Sequence, residues 1–340
     1  MLWLKRIAMW LAAAAVVLLL TGASYEQVMR RHAAHDIAMP GRLVDVGGGR
    51  RIQIDCRGTG SPTVVLESGL DHLGSLSWAA VHDSLAVGTR VCAYSRAGIL
   101  WSDPAPTSFD VRSVARDLHA ALIAAGESAP WVMVGHSIGG PYVMAFIDAY
   151  PREVRGLVFV DASHPEQFAR FRAAVGKDME PPPGLVRVGA ALAWTGLVRA
   201  LPAPDAPPSW PSIVAREATL FLSPSLTALA HETSAIPSTL ASARAMRRLG
   251  DRPLVVLTAG REQPDAALRA MEIDREQGAR LQAVTRAMHD DQATWSTNSR
   301  HEIVPDATHY IQFDRPDVVI RAVREVVGQV ASTTPASATP

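Results

Sequence analysis

Six consecutive residues, Gly135-His136-Ser137-Ile138-Gly139-Gly140, combine one hydroxyl with three glycines at a spacing suited to nucleophilic catalysis. In G-x-S-x-G the serine occupies a sharp strand-to-helix turn that holds its hydroxyl clear of the backbone. A serine hydroxyl is a poor nucleophile until a base takes its proton, so the motif implies a histidine elsewhere in the chain. Gly135 and Gly139 make room where strand and helix pack closest, and a positive φ is costly for residues other than glycine. The motif needs a strand before it and a helix after it. The apolar run Trp131-Val132-Met133-Val134 supplies the first, and residues 141–150 have helical periodicity. Pro141 falls in the first turn, where a missing N–H does no harm, and Pro151 ends the helix.

On both sides of the motif, strand-like and helix-like segments alternate. Strands are expected at 42–46, 51–56, 63–66, 90–94, 131–134, 157–160, 253–258 and 301–304, the first two joined by Gly47-Gly48-Gly49 as a hairpin. Most later strands are short continuous apolar runs such as Thr63-Val64-Val65-Leu66, as expected when helices cover both sheet faces. Helical patterns at 111–125 and 317–330 lie between and after them, which implies an α/β class with a mostly parallel sheet. Residues 163–250 break the rhythm. They hold many prolines and short apolar helical pieces, clearest at 190–201, and are read as a small helical insert over the sheet.

The chain has 340 residues, 48% of them hydrophobic, with 33 basic and 33 acidic residues. It can bury a large core, and the balanced charge without a basic stripe argues against a nucleic-acid partner. Lys5 and Arg6 precede an apolar stretch over 7–20, followed by Thr21-Gly22-Ala23-Ser24. Residues 1–23 are read as a signal anchor, with a cleaved signal peptide as the alternative, and either fate exports the remainder of the chain. The basic pair keeps the N-terminus cytoplasmic, although Arg30 and Arg31 beyond the run reduce the asymmetry. Residues 24–40 are expected to form a helical linker with a hinge at Pro40-Gly41, and 331–340 a disordered tail. Two cysteines, Cys56 and Cys92, both in strand-like segments, suit a disulfide in an oxidising compartment, with two buried thiols as the alternative.

On these motifs the chain resembles the α/β-hydrolase superfamily over about residues 41–330. The resemblance rests on Gly135-His136-Ser137-Ile138-Gly139-Gly140, Tyr94-Ser95-Arg96-Ala97-Gly98 with Trp101-Ser102-Asp103-Pro104, and Ala307-Thr308-His309-Tyr310 before Asp314-Arg315-Pro316. It implies eight strands in the order 1-2-4-3-5-6-7-8, a core at 41–162 and 251–330, and a helical cap at 163–250 inserted after strand 6. That order sets the second and fourth strands side by side, which implies a Cys56–Cys92 bond. His309 follows the last strand in a short loop, and its place after the serine matches the order of the family. It is the expected base. His136 sits at a variable position of the motif and is given no proton-transfer role.

The acid departs from the family pattern. Relatives take it from G-x-x-D after the seventh strand, but here Gly260-Arg261-Glu262-Gln263 puts Gln263 in that place. Asp161, at the end of the sixth strand, is the first choice, ahead of Glu262 and then Asp265. Any carboxylate in reach would serve, since its role is to orient the imidazole and stabilise its charged form. The oxyanion donors implied by the resemblance are the backbone N–H groups of Ile138 and Leu70, the latter in Glu67-Ser68-Gly69-Leu70 where relatives begin His-Gly. Ser95 stands where D-R-x-G would place aspartate, and Ile99-Leu100 where a glycine is usual.

These residues point to a serine esterase, lipase-like in acting on an apolar small-molecule ester through an acyl-enzyme, tethered to a membrane by its N-terminal helix with the catalytic part outside the cytoplasm. No metal or organic cofactor is required. The same triad could act on amides or peptides, transfer acyl groups or serve a perhydrolase, and a non-catalytic binding protein could retain the fold. A serine nucleophile argues against haloalkane or epoxide chemistry.

Overall fold

The computed structural model describes residues 2–105, 109–201 and 207–333. Eight strands form one sheet: β1 (Arg42–Asp45), β2 (Arg51–Arg57), β3 (Thr63–Glu67), β4 (Val91–Tyr94), β5 (Trp131–His136), β6 (Val154–Val160), β7 (Leu254–Ala259) and β8 (Ser299–Val304). Each overlaps the segment expected for it. Their order is β1-β2-β4-β3-β5-β6-β7-β8. β2 runs antiparallel to both β1 and β4, and the remaining pairs are parallel.

The helices are α1 (Leu2–Asp36), α2 (His82–Ala86), α3 (Val111–Ala124), α4 (Gly139–Ala149), α5 (Gln167–Val175), α6 (Pro183–Leu192), α7 (Leu197–Ala200), α8 (Ser212–Ala243), α9 (Asp265–Ala270), α10 (Arg275–Ala293), α11 (Ile311–Asp314) and α12 (Pro316–Thr333). Side chains of a strand alternate between its two faces. Val65, Met133, Phe159 and Val256 therefore point to the layer of α3 and α4, whereas Val64, Val132, Val158 and Val255 meet Val319, Val323 and Val326 of α12. Both faces are apolar because both are covered, which is why these strands read as unbroken hydrophobic runs. Cys56 and Cys92 are register partners on β2 and β4 and form a disulfide.

Between β6 and β7 the described residues form helices and loops, with one isolated bridge from Gly250 to Ser296. Here the structure departs from the sequence reading in one respect. Prolines 224 and 237, expected to separate short pieces, both lie inside the single helix α8. Each removes one backbone hydrogen bond, but Val214, Phe221, Ala230, Ile236 and Leu240 are all buried, and this packing holds the helix through them. Prolines 202 and 204 lie outside the described residues. At the N-terminus α1 continues without a break past residue 23 to Asp36. Residues 331–333 of the expected tail continue α12, and 334–340 lie outside the described residues.

Candidate active site

Ser137 sits between β5 and α4 with φ 54°, in the left-handed region that a residue with a β-carbon enters only at a cost. The strain is thus carried by the serine itself, and the glycines provide clearance. A β-carbon on Gly135 would lie 2.9 Å from the backbone of Gly139, and one on Gly139 would lie 2.7 Å from the carbonyl oxygens of Glu67 and Ser68. Three backbone hydrogen bonds pin the turn: Ser137 N–H donates to Val160 O (3.2 Å), and Ser137 O accepts from Gly140 N–H (3.0 Å) and Ser163 N–H (2.8 Å).

Asp161 follows β6, also at positive φ (44°). Its Oδ1 accepts the N–H of Ala259 at the end of β7 (2.9 Å), and its Oδ2 lies 2.7 Å from Nδ1 of His309. The carboxylate is 9% exposed and the imidazole 47%, so the pair faces inward at one end and outward at the other. Burial alone would raise the pKa of Asp161. The hydrogen bond and charge of His309, the nearby His289 and the Ala259 N–H more than offset this and hold it down at about 2. In His309 burial pulls the other way, but the bond to Asp161 with the charges of Asp161 and Asp71 raises the imidazole above its ordinary value. With Nδ1–H donated to Asp161, Nε2 is left as the basic nitrogen.

The other two carboxylates do not reach this histidine. Glu262 is exposed and lines the same cavity as His309 without a hydrogen bond to it, and Asp265 pairs with Arg275 at 2.7 Å. His136 is buried, its ring 4.7 Å from that of His309, and its Nε2–H donates to His309 O at 2.9 Å. Burial and the charge of His309 push its pKa down to about 3, so it is a neutral prop beneath the loop.

Ile138 precedes α4, and the first N–H groups of a helix have no intrahelical acceptor. The loop holding Leu70 passes close by. A β-carbon on Gly69 would lie 3.0 Å from Cβ of Ser137 and 2.9 Å from Nδ1 of His136, so only glycine lets the loop approach the serine. A cavity of about 520 Å³ opens beside Asp161 and His309, with Phe171, Met179, Leu268 and Met271 in its wall and Arg261 and Glu262 also lining it.

A family model described as alpha/beta hydrolase fold matches residues 62–202. That match and the order of the eight strands give the chain the α/β-hydrolase fold. A thermophilic esterase from Thermogutta terrifontis superposes with a TM-score of 0.60 at 20% identity, covering 86% of this chain and 99% of that one. The epoxide hydrolase CorEH gives 0.58 at 18% identity over 85% and 98%. At such identities the likeness establishes the fold. Among curated relatives, the uncharacterized protein YbdG of Bacillus subtilis is 24% identical over 133 residues, 39% of this chain and 41% of that protein. The chain thus spans under half the length of this relative.

Beneath the loop of Leu70, the chain buries a charge cluster that sequence reasoning missed. Arg96 donates to Glu67 Oε1 (2.7 Å), to both oxygens of Glu232 on α8 (3.0 and 2.8 Å), and to the carbonyls of Ser68 (2.9 Å) and Gly69 (2.6 Å). Tyr94 hydroxyl closes on Glu67 Oε2. All three charged groups are 3% exposed or less. Burial drives Glu67 up to about 7, against the pull of Arg96 and Tyr94. One guanidinium therefore fixes the loop backbone from below and ties it to α8. The arginine is visible in the sequence, but Glu232 lies far along the chain and only folding reveals the pairing.

Behind Asp161 lies a second unforeseen group. His289 is 3.9 Å from Asp161 Oδ1, its Nε2–H donates to Ala162 O (3.0 Å), and its Nδ1 is 2.5 Å from Thr258 Oγ1. The same hydroxyl is 2.6 Å from Nε2 of His301, whose Nδ1 meets Asp290 at 2.7 Å. The outer ends of this chain of bonds are acceptors, and Thr258 has one proton for two ring nitrogens. One of the two rings therefore carries a second N–H whenever all four bonds are made. Burial lowers the pKa of His289 despite the attraction of Asp161.

Proposed function

We propose that this chain is a serine hydrolase that cleaves an apolar ester, with Ser137 as nucleophile, His309 as general base and Asp161 as the orienting acid. The observation that carries it is the 2.7 Å contact between His309 Nδ1 and Asp161 Oδ2, in a loop held by His136 next to the strained Ser137. Nε2 of His309 takes the Ser137 proton as Oγ bonds to the acyl carbon. The carbonyl electron pair moves onto oxygen, where the N–H groups of Ile138 and Leu70 receive it, each such donor contributing about 10² to 10³ in kcat. Collapse breaks the bond to the alcohol, which leaves with the proton from His309. Water then repeats the sequence on the acyl-enzyme and frees the acid.

The carbon-lined part of the cavity beside His309 favours an apolar acyl or alcohol group. Similarity to an esterase and an epoxide hydrolase leaves both chemistries within the fold, and the serine at the elbow favours the ester. The apolar N-terminal helix and the disulfide support an exported, membrane-anchored enzyme. A chain-length series of p-nitrophenyl esters, assayed with and without detergent, tests the reading. Turnover that rises with acyl length supports it, and no turnover of any ester overturns it.

A further inference from the structure

Helix α6 has no buried residue. Leu185 (80% exposed), Val188 (56%) and Leu192 recur on one face of it at helical spacing, and Trp194, Leu197 and Leu201 extend the same exposed apolar surface. Such a patch on a soluble domain marks a partner. Residues 181–201 contain two arginines, Arg187 and Arg199, and no acidic residue.

The place of this patch is set by α1. Its apolar side chains from Leu2 to Leu20 face outward, and none of its most apolar window is buried. Two residues beyond Leu20, about 3 Å along a helix axis, the exposed part ends and a docked part begins. A β-carbon on Gly22 would overlap the carbonyl oxygen of Thr195, and one on Gly196 would lie 2.7 Å from Gly22 O, so the two backbones are in direct contact. Glu26, 1% exposed, locks the joint by pairing with Arg199 (2.6 Å), Arg30 (2.7 Å) and the hydroxyl of Ser223 on α8 (2.9 Å). The residues fastened to α1, Thr195 and Gly196, lie inside the apolar surface, between Trp194 and Leu197.

We propose that the surface formed by α6, α7 and the turn between them is a second membrane contact, which rests in the outer leaflet beside the anchor and brings α8 and the site beneath it to the bilayer. This rests on the proposed anchoring of α1. A span of about 20 residues crosses the hydrocarbon, so a helix leaving it near Gly22 sets Trp194 and Leu197 at the headgroup level, where an apolar surface buries to about 5 to 10 Å. Tryptophan favours that depth, and the exposed Arg187 suits anionic lipid, whereas Arg199 is taken up by Glu26. Substrate would then be drawn from the lipid phase.

The test uses the full chain in vesicles of phosphatidylcholine and phosphatidylglycerol, with or without bromine on the acyl chains. Single variants Val188→Cys and Leu197→Cys, with Val87→Cys as an exposed position away from the patch, accept an environment-sensitive fluorophore, because Cys56 and Cys92 are already bonded to each other. Probes at 188 and 197 should shift to the blue and lose most of their emission in brominated lipid, and the probe at 87 should do neither. A blue shift without bromine quenching means that a second copy covers the patch and overturns the proposal. So does a water-like spectrum at both positions, or failure of the chain to float with vesicles. Fluorophosphonate labelling of the same vesicles reports Ser137 independently, so failure of the catalytic reading would be seen separately.

Discussion

Nδ1 of His309 and Oδ2 of Asp161 lie 2.7 Å apart, and the carboxylate comes from the end of β6, one strand earlier than the G-x-x-D position of the family pattern. The sheet makes this possible. β6 and β7 are parallel neighbours, and Asp161 leans across to take the Ala259 N–H from β7 with its other oxygen. One carboxylate is therefore held by backbone and imidazole together.

If Asp161 orients the imidazole, Asp161→Asn should lower kcat by up to about 10⁴ with little change in KM, because an amide favours the wrong tautomer. Glu262→Gln and Asp265→Asn should stay within a few-fold of the parent. Steady-state kinetics on one ester compares all three. Full activity in Asp161→Asn would remove this residue from the mechanism.

The pH dependence has a definite sign. His309 must be neutral to act as base, and its pKa is raised, so kcat/KM should fall on the acid side through a value above the ordinary 6.5 of imidazole. In Asp161→Asn that limb should move to lower pH. Stability runs differently for the two partners. The raised His309 contributes stability at pH below 6.5 that is lost as pH rises through its folded value. Asp161, held at about 2, contributes stability above the ordinary carboxylate value that is lost as pH falls toward 2. Denaturant titrations across pH for parent and Asp161→Asn would separate the contributions.

Arg96 compensates two buried carboxylates and holds two loop carbonyls. Removing it in Arg96→Met should destabilise the fold by about 3 to 5 kcal/mol, since it leaves Glu67 and Glu232 uncompensated. Adding Glu67→Gln and Glu232→Gln should recover part of that loss. Urea unfolding measures both, and a single-variant loss below about 1 kcal/mol would show that the cluster is solvated.

The disulfide closes a loop with a sequence separation of 36. Its reduction should cost roughly 3 to 4 kcal/mol, read as a lower urea midpoint. Thiol titration of the denatured, unreduced protein should find no free cysteine.

The fold, and the placing of the candidate site on it, were legible in the sequence wherever local pattern decides. The strands can be read because covered faces make them continuously apolar, and Ser137 because its turn needs glycines on both sides. Long-range pairings were not legible. Three carboxylates stood open for His309 because only the β6–β7 register selects which one arrives. Glu232 and the Thr258, His289 and His301 group gave no local signal, since each looks like an ordinary polar residue until tertiary packing buries it. Helix α8 misled in the opposite direction, because proline is a strong local breaker that burial overrode.

Fluorophosphonate labelling followed by mass spectrometry of the peptide containing Ser137 tests the central claim most directly. The account predicts one adduct, on Ser137, that is lost in Ser137→Ala together with ester hydrolysis and strongly slowed in His309→Ala. An unlabelled Ser137 in a folded protein, or a Ser137→Ala variant that hydrolyses esters at the parent rate, would contradict it.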